Sequence, residues 1–326
     1  MLEMNIGLYH PEFWKIHGHW DYINHTPSKE GAWNGMQFHV NDFRLSEYDF
    51  VVVHQDVPAI LKLKASAGGF ILVTGEEKSM TGYPVEFLNQ FDMVITSRDD
   101  IEHPNVLRTF YMHPWRVKKT FDELSEMKPS GKSATLSAII SNLRTLPVHQ
   151  RRFEFMTRLK AHYGDKLSWF SKGQNTFIED KWDGLAPYEF SIAIENSRHH
   201  NYFTEKITDC FLAFTMPVYH GCPDIHRFFD DRSYLLTDPD HFHESVQLID
   251  MAIAENLGQS RMKYIIDSRE LVLRKYQFIA AVSDVIARKK KSGIRSQKKI
   301  FPQSYFDPKG IKGSVKHFWH KLMNQI

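Results

Sequence analysis

Short apolar runs alternate with polar, helix-compatible stretches through the first half of the chain. Residues 6–9, 50–53 and 70–73 have strand character, and the last of these is followed at once by Thr74-Gly75-Glu76. The spacing over 57–65 predicts a helix between the second and third strands. A helical 84–90 then leads to a strand at 93–96, and 106–111 closes the series. Strands that alternate with helices argue for a parallel sheet with crossover connections. From 115 to 132 the sequence turns charged and ends in Pro129-Ser130-Gly131-Lys132, the composition of a linker.

The alternation restarts beyond that linker. Strands are predicted at 134–140, 167–170, 190–194, 216–219 and 234–236, with helices at 149–162, 205–214 and 245–255. Met262, Ile265, Ile266, Leu273, Tyr276, Ile279, Val282 and Ile286 keep helical spacing, which predicts one long C-terminal helix. The expected architecture is therefore α/β, with two Rossmann-like domains at 1–128 and 129–287 facing a central cleft. Ligands of such sheets bind at the carboxyl ends of the strands.

Composition changes this picture in one place. The net charge of +2 is small, yet residues 288–321 hold eleven Lys or Arg against the single acid Asp307, so the body carries an acidic excess. The segment 288–326, with Val315-Lys316-His317-Phe318-Trp319-His320-Lys321, is expected to be a helical, basic, amphipathic tail. It suits an anionic membrane face at ~1 kcal/mol per basic residue, and the acidic body argues against nucleic acid. Two cysteines, Cys210 and Cys222, do not make a disulfide framework. With no signal peptide or apolar membrane span visible, the expected location is cytoplasmic, possible attachment to the inner membrane face included.

Chemistry concentrates between Tyr188 and Pro223. An apolar strand delivers Glu195 and Asn196 to its carboxyl end, and a loop with His199 and His200 follows. Thr204 or Ser197 can cap the next helix, leaving Glu205 and Lys206 in its first turn. A helix N-terminus favours anions and disfavours a lysine unless an anion joins it. Lys206 is thus a pyrophosphate candidate, or equally a solvated lysine paired with Glu205 or Asp209. Gly221 and Pro223 allow close backbone approach in the loop after the following strand. Asp238-Pro239-Asp240 resembles a metal motif, but Asp240 is better placed as a helix cap, and no metal site is expected.

The ordered set Glu195-Asn196-Ser197, Tyr202, Thr204-Glu205-Lys206 and Pro217-Val218-Tyr219 with Gly221 resembles the signature of the α-1,3/4-fucosyltransferases of glycosyltransferase family 10. Ser141-Asn142 followed by Arg152, Phe155 and Leu159 is similar to a second segment of that family, and Thr74-Gly75-Glu76 to a third. The resemblance implies a GT-B-like fold, GDP-fucose as donor, a saccharide acceptor, inversion of the anomeric carbon and no required cofactor or metal. It also implies that Arg152 and Lys206 neutralise the pyrophosphate, that Asn196, Tyr202 and Glu205 hold the nucleotide, and that Glu76 is the general base. Glu195, Thr204 and Gly221 are further candidates. These roles make chemical sense, because a single displacement needs a base on the acceptor hydroxyl and cations beside the departing diphosphate. Paired carboxylates Glu76 and Glu195 in a glycoside hydrolase, or a non-catalytic sugar-nucleotide binder, are the competing readings.

Overall fold

A computed structural model describes residues 4–11, 22–75, 78, 81–141, 147–171, 176–289 and 291–306. Two compact units divide the chain: Met1–Thr109 with Val282–Ile326, and Phe110–Ala281. The strands of the first unit are β1 (Met4–Tyr9), β2 (Ala32–Trp33), β3 (Met36–Val40), β4 (Phe50–His54), β5 (Leu61–Ser66), β6 (Phe70–Val73), β7 (Met93–Thr96) and β8 (Val106–Arg108). Seven of them form a sheet of order β2-β3-β1-β4-β6-β7-β8, parallel except between β2 and β3. Every residue of β4, β6 and β7 is buried, as expected of parallel strands covered on both faces. The short helix α1 (Val85–Leu88) connects β6 to β7 and turns Phe87 and Leu88 into the same core.

The second unit contains α2 (Phe121–Glu126), β9 (Ala134–Ile139), α3 (Pro147–Tyr163), β10 (Leu167–Phe170), β11 (Tyr188–Ile194), α4 (Glu205–Leu212), β12 (Met216–His220), β13 (Leu235–Leu236), α5 (Phe242–Ala254) and α6 (Met262–Leu271). Its sheet is parallel throughout, in the order β10-β9-β11-β12-β13. From β9 the chain moves outward to β10, then returns to the other side of β9 as β11. That reversal is a topological switch point, where open α/β sheets place their ligands. Both units are thus doubly wound, as the α/β expectation requires.

Four expectations are corrected. The residues expected as a helix at 57–65 contain β5, because Leu61, Leu63 and Ala65 are buried while Lys62 and Lys64 are exposed, a period of two. The domain boundary falls at Thr109 rather than near 128. Lys132 of the supposed linker donates to the carbonyls of Ala186 and Ala213, both at 2.8 Å, and so belongs to the second unit. The long C-terminal helix is broken. After α6 a π-helical turn over Val272–Tyr276 ends at Gln277, whose extended backbone (ψ 152°) interrupts the helix. Its side-chain oxygen then accepts from Ile279 N–H at 2.8 Å and caps α7 (Phe278–Ala287).

The basic C-terminal segment is not a helical tail over its described part. Residues Arg295–Ile300 form β14, which pairs antiparallel with β5 in a two-stranded ribbon of the first unit. Ile300 is fully buried in the same cluster as Phe70 and Leu72. Lys298 donates to Asp92 at 2.6 Å, and the Gln303 N–H to the Asp56 carboxylate at 3.0 Å. Residues 307–326, with the aromatic amphipathic stretch, lie outside the described residues. Among the described residues no helix is long and apolar enough to cross a membrane.

Candidate functional site

The apolar run of β11 ends at Ile194, and the next residue turns its carboxylate inward. Glu195 is buried, and its two oxygens accept the Thr204 N–H at 2.8 Å and the Thr204 hydroxyl at 2.6 Å. Thr204 is the N-cap of α4, with its side chain accepting from Lys206 N–H. The carboxylate therefore fastens the end of the strand to the start of the helix. Gly221 closes the same corner from β12. A Cβ there would lie 2.3 Å from Glu195 Cγ and 2.5 Å from the Tyr219 hydroxyl, so only glycine fits. Held in this way, Glu195 is part of the corner that joins β11, α4 and β12.

Arg152 reaches the switch point from α3. It is buried on the face that carries Phe155, Met156 and Leu159, whereas Arg151 is exposed and pairs with Asp240 at 3.3 Å. Its guanidinium donates to Asn196 Oδ1 beyond β11 and to Ser141 Oγ beyond β9, the latter at 3.2 Å. The Nε of this buried cation has no hydrogen-bond partner among the described residues. A cavity of about 330 Å3 opens here, lined by Arg151, Arg152, Glu195, Ser197 and Arg198 among others. A second cavity of about 370 Å3 shares Arg198, His220 and Asp238 with it and extends past Gly221 to Thr237.

Lys206 and Glu205 lie in the first turn of α4 and line neither of these cavities. The Lys206 ammonium lies 3.2 Å from Thr204 Oγ1, 3.4 Å from Glu195 and 3.7 Å from Glu205. Asp209 takes a different cation, Lys181, at 3.4 Å. Glu205 is buried against Lys181 at 3.1 Å and Arg116 at 3.3 Å. Burial works to raise the Glu205 carboxyl, but Arg116, Lys181 and Lys206 hold it well below the usual carboxylate range. Asp209, equally buried, is pushed up to about 6.

The remaining candidates fall elsewhere. Tyr202 is buried, its ring tilted against those of His199 at 4.6 Å and Tyr111 at 5.3 Å, and it does not line either cavity. Its loop is pinned where Asp224 accepts the N–H of Asn201, a residue in left-handed conformation (φ 62°). Glu76 and Asn142 lie outside the described residues. Asp240 does not cap α5, since the helix begins at Phe242 after His241. Asp238 instead accepts from Asp240 N–H at 3.0 Å and lies 3.3 Å from His241. Cys210 and Cys222 are both buried free thiols, pushed up to about 12 by burial. Sequence reasoning missed Arg116, Lys181 and Arg198. The first sat in the supposed linker, and Asp180-Lys181-Trp182-Asp183 reads as a solvated polar turn.

Comparison with known proteins bears on this second unit. Residues 129–265 match the family described as glycosyltransferase family 10 (fucosyltransferase) C-terminal domain. Over 73 residues the chain is 32% identical to an α-(1,3)-fucosyltransferase of Helicobacter pylori, covering 22% of this chain and 15% of that protein. Over 62 residues it is 36% identical to a GDP-fucose protein O-fucosyltransferase 3 of Danio rerio, covering 19% and 14%. The chain thus spans less than a sixth of the length of these two relatives. Among solved structures, an α1,3-fucosyltransferase with GDP is similar at TM-score 0.48 and 17% identity, covering 85% of this chain and 92% of that one. Anabaena HepE with UDP-glucose is similar at TM-score 0.49 and 8% identity, covering 88% and 100%.

Proposed function

We propose that this chain, a member of glycosyltransferase family 10 by its domain at residues 129–265, transfers fucose from GDP-fucose to a hydroxyl of a saccharide acceptor. The observation that carries this reading is Arg152, a buried cation at the switch point whose Nε is left without a partner beside a ligand-sized cavity. A buried charge of that kind is costly unless an anion completes it. In the proposed reaction the acceptor hydroxyl attacks the anomeric carbon in one displacement, with inversion. Its proton passes to the Glu76 carboxylate, and the C–O bond to the diphosphate breaks. Negative charge growing on GDP is met by Arg152 and Lys206, which lowers the barrier more than it stabilises the ground state. Asn196, fixed by Arg152, and Glu205 hold the nucleotide side.

Calorimetry or thermal shift with GDP, UDP and their sugars tests the donor. Stabilisation by GDP is expected, and its absence overturns the reading. Glu76→Ala should keep GDP binding and lose transfer, whereas Lys206→Ala should weaken binding itself. Equal loss of binding in both argues against Glu76 as base. The basic and aromatic residues of 307–326 support a further part of the proposal, attachment of a cytoplasmic enzyme to an anionic membrane face.

A further inference from the structure

Around the first turn of α4, three carboxylates meet three cations at short range. Glu195 faces Lys206, Glu205 faces Arg116 and Lys181, and Asp209 faces Lys181. The cations come from three separate segments. Lys206 belongs to the helix, Arg116 to the stretch entering the unit and Lys181 to the 3-10 turn Lys181–Gly184 before β11. Backbone bonds fasten these segments together. The Arg116 N–H donates to Asp209 Oδ1 at 3.0 Å, and the Lys118 N–H to Asp180 Oδ1 at 2.9 Å.

We propose that Arg116 and Lys181 are positioning residues of the donor site, which by engaging Glu205 keep the Lys206 ammonium available to an anionic ligand. The inference rests on the reading of Lys206 as a pyrophosphate partner. Lys206 stands between two carboxylates, 3.4 Å from Glu195 and 3.7 Å from Glu205. Were both free to pair with it, its charge would be spent inside the protein. Glu195 divides its oxygens between Lys206 and two hydrogen bonds from Thr204. Glu205 lies closer to Lys181 and Arg116 than to Lys206. The three carboxylates and three cations cancel, and Arg152, whose charge feels Glu195 and Glu205, brings the group to one net positive charge. Deleting Lys181 leaves Glu205 and Asp209 to draw on the remaining cations, and the surplus that favours a diphosphate disappears.

The full-length protein titrated with GDP and with guanosine, followed by calorimetry and ligand-observed NMR, tests this. Lys181→Met is expected to weaken GDP by about tenfold while guanosine stays within about twofold. Lys181→Arg should restore GDP affinity, since the charge returns. Arg116→Gln is the second arm, should Lys181→Met fail to fold, and is expected to weaken GDP with the same indifference to guanosine. Equal losses for the two ligands, or GDP affinity unchanged in both variants, would overturn the inference. Absence of GDP binding by the unsubstituted protein overturns the donor reading and this inference with it. Normal GDP binding with insensitive variants overturns only the inference.

Discussion

The Glu195 carboxylate takes both polar hydrogens that Thr204 can offer, the backbone N–H at 2.8 Å and the hydroxyl at 2.6 Å. One residue thereby ends β11 and the other begins α4, so the loop between them is closed by a fully buried, charge-assisted contact. Removing the hydroxyl takes one hydrogen bond from Glu195 Oε2, which keeps only Lys206 at 3.4 Å, and leaves the helix uncapped. Thr204→Val should cost roughly 2–3 kcal/mol in urea unfolding, and Thr204→Ser should recover most of it. A loss below roughly 0.5 kcal/mol for the valine variant would show that the contact contributes little.

Arg152 gives the opposite expectation for stability. A buried guanidinium is expensive to desolvate, so Arg152→Met should leave stability unchanged or raise it. GDP affinity should nevertheless fall by about tenfold or more. Unfolding and calorimetry on one preparation separate the two effects. A variant that loses stability while keeping GDP would assign Arg152 to the fold instead.

Asp56 supplies a pH dependence in the first unit. Burial raises its carboxyl to about 6, although the N–H groups of Gln303 and Val57 donate to it. A raised carboxyl favours the protonated fold, so this contribution is fully present below pH 4 and is lost as pH climbs through 6. Asp56→Asn keeps an acceptor oxygen and removes the charge. It should raise stability at pH 8 by roughly 2 kcal/mol and change little at pH 4, as read by thermal unfolding at both values.

How far the fold could be read in advance depended on distance along the chain. Largely apolar runs such as Phe190–Ile194, broken only by Ser191, identified β11, and the spacing to Phe155 and Leu159 selected Arg152 over Arg151. β5 was misread because Val57 and Leu61 are four apart, a helical interval, ahead of the Leu-Lys-Leu-Lys alternation. The break at Gln277 was hidden since a single extended residue leaves apolar residues on both sides at helical spacing. Lys181 had no local signal at all. Its partner Glu205 is 24 residues away, and only the sheet brings them together.

The C-terminal segment separates two truncations that look alike in sequence. Ending the chain after Ala287 removes β14 and buried Ile300, at least about 1.5–3 kcal/mol of apolar burial. The first unit should then lose cooperative unfolding and become sensitive to protease. Ending it after Phe306 keeps every described strand. That protein should melt normally yet lose sedimentation with anionic vesicles. Retained sedimentation would detach residues 307–326 from membrane binding.

The return of β14 to β5 also has a consequence for biosynthesis. On the ribosome the second unit, one continuous segment, emerges whole. The first emerges early but lacks β14 until residues 295–300 leave the exit tunnel, on the order of ten seconds or more later at ordinary elongation rates. During that wait the nascent chain carries Leu61 and Leu63 on an unpaired edge. Lys62 and Lys64, which alternate with them, are the kind of charged residue that discourages a neighbouring chain from adding to that edge.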